Sequence, residues 1–432
     1  MGNRCGEDRF AKRQFFPQNV SVFMDGMGYT ISMSIFSFGK KEKQELALII
    51  DIGSASVGVA IALLSREEKP KIFVVAREDM VFQENLDIPR FRAGMSDALA
   101  KTLRTLERQL PDVLKKTNNI PPSRMYVTFS SPWHASETRT VSSVQDKSFR
   151  MTQGILDRIA KREIDSFERT GLAARLGGDL STIEKHVMRI ALNGYETSEP
   201  FGKEAKTVDV GIFLSVLSRA TLDDVSAVVA RVFSVEEKSF HSFPFVAFDV
   251  VRGFAGAPDR FLIVDIGGEV TDVSVVSDRV LLETATFPVG KRTILRNLSR
   301  TLSTTADEAL SLIRLSAEKR LSGAVEKRVG KTFLDSDNIW VTSFEKVLAE
   351  IATHTGIQSA LFVSADDDLL PYFTTLVKRE GFAQRTMTDE LFSVFPLSSA
   401  VLYSVCQFDR ESAHDPFLML ESAFASKLFT LS

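Results

Sequence analysis

The sequence predicts an α/β protein of two similar domains facing a cleft, with a small α/β unit inserted in the first. Three observations predict it. "LALIIDIGSASVGVAIAL" (46–63) and "FLIVDIGGEVTDVSVV" (261–276) share one pattern: an apolar strand ending in Asp-Ile-Gly, a short polar turn, then a second apolar alternation. Strand and helix signals follow one another along most of the chain. A length of 432 residues exceeds what one simple core holds.

The elements follow in order. Residues 1–45 are expected to be a disordered extension. Met33 offers a later start, and Phe36 and Phe38 beside Lys40, Lys41 and Lys43 read as a solvated lead-in, since one chain-end patch binds a membrane weakly. The first hairpin follows, then a strand from Lys71 to Val81. Met95, Leu99, Leu103, Leu106 and Leu110 recur at helical spacing, and "NNIPPS" ends that helix. "RMYVTFSS" reads as a strand, and a helix opens at Thr152. "HVMRIALNGYE" and "TVDVGIFLSVLS" read as strands joined through Pro200 and Gly202; "TLDDVSAVVARVF" reads as a helix with Thr221 as its N-cap. A short apolar run and helix (239–253) lead to the second hairpin. Helical stretches are expected at 291–302 and 305–321, and "ALFVSADDDLLPYFTTLVKREGF" reads as strand, loop, helix. The expected units are 46–122 and 236–258 for the first domain, 123–235 for the insert, 259–410 for the second domain and 411–432 for a tail.

Composition excludes several classes. A net charge of −3 gives no field for nucleic acid. Cys5 and Cys406 form neither a disulfide framework nor a zinc site and suit a reducing compartment. No run reaches the length of a membrane-spanning helix. His134 reads as a surface loop residue, and no Ser-His-Asp order stands out.

The chemistry lies in the doubled turn. Gly53, Gly267 and Gly268 let the backbone approach a ligand closely. Amides in such turns can hold phosphate oxygens. Asp51 and Asp265 are placed to hold Mg²⁺ through water. "DIGSASVGVA" and "DIGGEVTDVSVV" resemble the two phosphate loops of the actin, hexokinase and heat-shock chaperone superfamily, whose fold is ribonuclease H-like. The middle of the chain and "FPVGKRTILRNLSRTLSTTADEALSLIRL" are similar to the FtsA and PilM branch, and "MSIFSFGKKEKQELALIIDIGSASV" to its PilM side. The resemblance covers about residues 33–405. It implies an ATP and Mg²⁺ site that adds Ser54, Ser56, Thr271 and Gly290 to the residues above.

Against that pattern the chain departs in several places. Glu269 stands where a third glycine is expected, Lys291 where another glycine follows "PVG", and Ala365, Asp366 and Asp367 where a glycine-rich loop lies under the base. Leu310 takes the place of an acid that meets the ribose. The departures imply weak ATP binding and no appreciable turnover, so no catalytic residue is assigned. Reversing Glu269, Ala365, Asp366 and Asp367 to Gly is expected to strengthen binding. The run Asp366–Asp368 reads as a solvated loop.

The resemblance implies a cytoplasmic scaffold at the inner face of the cell membrane, of the type IV pilus kind. Its partner would be a peptide segment of a membrane protein, with self-association possible. An FtsA-like division protein, whose tail would meet the membrane and which would bind a division-ring protein, is the alternative. A small-molecule kinase of the same superfamily is a further one.

Overall fold

The computed structural model describes residues 44–81, 87–171, 176, 178–318, 320–409 and 412–431. The extension expected at 1–45, with Met33, Phe36, Phe38 and its lysines, lies outside these residues as far as 43. The chain opens on an antiparallel meander, β1 (Gln44–Ile52), β2 (Ser56–Ser65) and β3 (Lys71–Asp79). Helix α1 (Ile88–Lys116) follows, its first turn held by Asp87, which accepts from the Arg90 N–H at 2.9 Å. Met95, Leu99, Leu103 and Leu106 form its buried stripe. β4 (Pro122–Phe129) returns parallel to β1.

The chain then leaves this sheet. β5 (His134–Arg150), α2 (Gln153–Glu168), β6 (Leu180–Leu192), β7 (Tyr195–Glu196) and β8 (Glu204–Ser218) form a four-stranded antiparallel sheet with its own core. Helix α3 (Arg219–Ala230) and strand β9 (Glu237–Ser242) bring it back, and α4 (Phe243–Val251) crosses to the second domain. There β10 (Phe261–Ile266), β11 (Thr271–Ser277) and β12 (Val280–Phe287) repeat the meander. Helices α5 (Lys291–Leu302), α6 (Ala306–Ala317) and α7 (Gly323–Ile351) lead to β13 (Ala360–Ser364), then α8 (Leu370–Val377), β14 (Ser393–Pro396) and α9 (Ser399–Leu402). β15 (Gln407–Phe408) joins the first sheet beside β3, and α10 (Pro416–Leu431) ends the described chain.

The two large sheets share one plan. Their orders are β15-β3-β2-β1-β4-β9 and β12-β11-β10-β13-β14. In each, two antiparallel pairings precede two parallel ones around a central strand that carries the Asp-Ile-Gly turn. Both faces of β1 are covered: Leu46, Leu48, Ile50 and Ile52 face the core that α1 shares, and Ala47 and Ile49 face the core that α4 and α10 share. That second core also takes Phe261 and Ile263 from β10, so α4 and α10 lie between the sheets. Every residue of α4 is buried. A helix apolar all round belongs inside.

Several expectations are corrected. β4, assigned by the sequence to the insert, is hydrogen-bonded between β1 and β9. α3, also assigned there, packs on α1, with Asp224 paired to Arg92 and Val225 and Val229 buried beside Leu99. We therefore propose residues 130–218 as the inserted unit. Helix α3 starts at Arg219, capped at Ser218, and Thr221 is buried within it. Of the tail expected at 411–432, the described residues 412–431 are not free: Phe417, Leu418, Leu420 and Phe424 are core residues. His134 is buried, at 6% exposure, and not a surface residue. β5 and α7 have no counterpart in the sequence reading. Among the described residues no helix is long and apolar enough to cross a membrane.

Candidate functional site

The central strands deliver Asp51 and Asp265 to one place from two domains. Asp51, Gly53, Ser54, Ser56, Asp265, Gly267 and Gly268 border one cavity, joined by Arg77, Lys291 and Asp366. Seven of the nine residues expected at the site are thus brought together. The other two lie behind it. Thr271 is fully buried; its hydroxyl donates to the Val289 carbonyl at 2.7 Å and accepts from Trp340 Nε1 at 3.1 Å. Gly290 backs the second turn, and a Cβ there would sit 2.5 Å from the Gly268 carbonyl oxygen. Lys291 N–H and Arg292 N–H donate to the carbonyls of Gly267 and Gly268.

The two turns bond to each other. The Glu269 N–H donates to Ser54 Oγ at 3.0 Å. Arg292, from α5, donates to the carbonyls of Ala55 at 2.8 Å and Met80 at 2.5 Å. A Cβ on Gly268 would stand 2.2 Å from the Ala55 Cβ, so the backbones touch where a side chain would intervene. Gly268→Ala is therefore expected to force the turns apart and cost about 1–3 kcal/mol. Urea unfolding checks it, and an unchanged midpoint would contradict the contact.

The charges are paired within the protein. Arg77 donates to Asp51 Oδ2 at 2.8 Å, to Asp415 at 2.6 and 3.0 Å and to Ser56 Oγ at 2.9 Å. Its guanidinium lies under Gly58, where a Cβ would meet it at 2.5 Å. Burial opposes the charge of Arg77, but Asp415 and Asp51 outweigh it and hold the guanidinium protonated. Burial raises the Asp51 pKa against the pull of Arg77, and Asp415 adds to the rise. Glu421, fully buried on α10, is pushed well above the ordinary carboxylate range by burial and then by Asp51. Asp265 is raised by burial and by Asp272, itself pushed up to about 6 by burial. A raised pKa favours the protonated form, which is a poor metal ligand.

Each sequence departure has a partner. Glu269 accepts from Arg296 at 2.6 Å. Lys291 pairs with Asp366. Of the aspartate run, Asp367 and Asp368 are exposed on a turn and Asp366 is partly buried; Asp367 accepts from the Ser399 N–H at 3.1 Å, and Asp368 pairs with Arg314. Ala365 is a core residue at 1% exposure, and Leu310 packs on the same core. Reversal of Glu269 and Asp366 to Gly would also remove the carboxylates that pair with Arg296 and Lys291.

ATP and Mg²⁺ do not fit this arrangement. The cavity has a volume of about 30 Å³, enough for one water. The two aspartates expected at the metal are a carboxylate held by Arg77 and a buried carboxyl. Sequence reading missed Arg77, Asp415, Glu421 and Arg292. Their signal was absent, because ion pairs between distant segments leave no local pattern.

No family model and no curated protein sequence matches the chain. Solved structures do. A chain titled a PilM–PilN type IV pilus biogenesis complex superposes with a TM-score of 0.52 at 12% identity, covering 91% of this chain and 98% of that one. The ethanolamine utilization protein EutJ from Carboxydothermus hydrogenoformans gives 0.41 at 11% identity, covering 89% and 91%. Component A of the Acidaminococcus fermentans (R)-2-hydroxyglutaryl-CoA dehydratase gives 0.37 at 10%, covering 89% and 99%. The fold is actin-like, as the doubled turn predicts.

Proposed function

We propose that this chain is an actin-like scaffold of a membrane-associated assembly of the type IV pilus kind, which takes up a segment of a membrane-protein partner. The observation that carries this reading is the superposition on a chain of the PilM–PilN complex over 98% of that chain's length. The superposition also covers 91% of this chain. Two features of the site support a scaffold over a kinase. Asp51 is held by Arg77, and Asp265 is buried beside Asp272, so neither is a free base for phosphoryl transfer. The burial of α10 removes the segment that the division reading would lay on a membrane. The chain would then reach the inner face of the membrane through its partner.

Deleting the gene in its source cell tests this. The expected result is loss of surface pilus fibres with cell length unchanged. Filamentous cells that still carry pili would overturn the pilus reading in favour of division.

A further inference from the structure

We propose that the cleft is a nucleotide-independent clasp, in which the protein's own groups occupy the positions that phosphate oxygens and a metal ion would take between such turns. The inference concerns the cleft alone and stands whether or not the pilus reading does.

Consider the donors first. Turns of this kind present backbone N–H groups to an anion. Here the Glu269 N–H donates instead to Ser54 Oγ of the opposite turn at 3.0 Å. A serine hydroxyl stands where a ligand oxygen would accept. The acceptors are met in the same way. The Ala55 and Met80 carbonyls of the first domain each accept from Arg292 of the second, a residue 7% exposed, and the Ala55 carbonyl also accepts from the Met80 N–H at 2.7 Å. A cation belongs in a phosphate cleft, and Arg77 supplies one between Asp51 and Asp415. Lys291 and Arg296, which could meet a phosphate chain, are matched by Asp366 and Glu269. The turns are therefore joined and the cations matched without a third molecule; Asp51 Oδ1 and Asp265 Oδ1 are the exceptions, buried without a hydrogen-bond partner among the described residues.

The clasp also fixes the root of the inserted unit. The segment leaving β4 is tied to the first turn by the Ser130 N–H on the Ile52 carbonyl at 3.1 Å and by Trp133 Nε1 on the Gly53 carbonyl at 2.8 Å. Trp133 stacks flat on Phe91 at 4.3 Å. A partner held by the insert would thus meet a unit whose root is set permanently, not by a nucleotide cycle.

Hydrogen exchange on the full chain tests the clasp. With about 1 mM Mg-ATP, exchange at 51–58 and 265–272 is expected to stay unchanged, and calorimetry to show no binding. The pair Ser54→Ala with Arg292→Ala removes the bond between the turns and the two that Arg292 makes to the Ala55 and Met80 carbonyls. Exchange in both turns should rise about tenfold or more, while β8 in the insert keeps its protection. If that variant unfolds, which exposed β8 would report, Ser54→Ala alone carries the test with an expected rise of about threefold. Wild-type binding of Mg-ATP with a dissociation constant below about 10 μM, with added protection in the turns, would overturn the proposal. So would unchanged exchange in a folded variant.

Discussion

Arg77→Met is expected to cost about 3–5 kcal/mol of folding stability, because it leaves two buried carboxylates without their cation. Asp51 and Asp415 have side-chain exposures of 3% and 8%, and Arg77 is the ion-pair partner of both. Methionine keeps much of the stem and removes the charge, so the loss is electrostatic and not a cavity. The damage should spread along the chain in a defined direction. Asp415 starts α10 by accepting from the N–H groups of Phe417 and Leu418, each at 3.1 Å. Without Arg77 it must bury its charge beside Asp51 and Glu421. The last helix should therefore exchange its amides faster than α1, which lies on the other face of the sheet. Arg77→Lys should recover little, since one ammonium cannot reach Asp51, Asp415 and Ser56 with matched geometry. Urea unfolding measures the cost. A loss below about 1 kcal/mol would show that the two aspartates find other partners.

The duplicated turns were legible because each is local. An apolar strand, Asp-Ile-Gly and a second alternation are readable within twenty residues, and both sheets were built around them. The paired charges were not legible, since Arg77 meets Asp415 and Lys291 meets Asp366 only after the chain has folded. Glu269, Lys291 and Asp366 were visible as departures, but each looked like damage until its partner stood beside it. β5 was missed for a different reason. "HASETRTVSSVQDKSFR" is an edge strand that keeps most of its length exposed, so its apolar alternation is faint. α7 was legible and overlooked: Val329, Phe333, Trp340, Phe344, Val347 and Ile351 follow helical spacing and are buried. The final helix carried its own signal as well. A segment apolar on every side, "PFLMLESAFASKLF", points to the core more than to a surface.

Glu184→Ala is expected to cost about 3 kcal/mol or more, because Glu184 joins the inserted unit to the first domain. It sits on β6 at 3% exposure and accepts from the Ser242 N–H at 3.0 Å, from Ser242 Oγ and from His241 Nδ1 at 3.2 Å. Its removal strands buried donors at the start of α4. His186, on the same strand, stacks on Phe245 of α4 at 3.8 Å, and its Nε2 lies 3.7 Å from Glu184, too far for a hydrogen bond. His134, at the entry to the unit, is the titrating weak point. Burial lowers its pKa to about 4, although the Glu184 charge pulls the other way. A histidine depressed in the folded state contributes stability above its unfolded pKa and loses it as pH falls through the folded one. The window is therefore about pH 6.5 down to 4, and the loss about 3 kcal/mol when complete. Burial raises the Glu184 carboxyl, but His186 and His241 beside it outweigh that and hold it down at about 2, so it titrates below that window. His134→Leu separates the two effects. Neither ring nitrogen of His134 has a hydrogen-bond partner among the described residues, so an apolar side chain strands no group there. The leucine variant should match or exceed wild-type stability at pH 5 and flatten the slope between pH 6.5 and 4. If urea midpoints of the two proteins fall in parallel through that range, His134 is not the group that titrates.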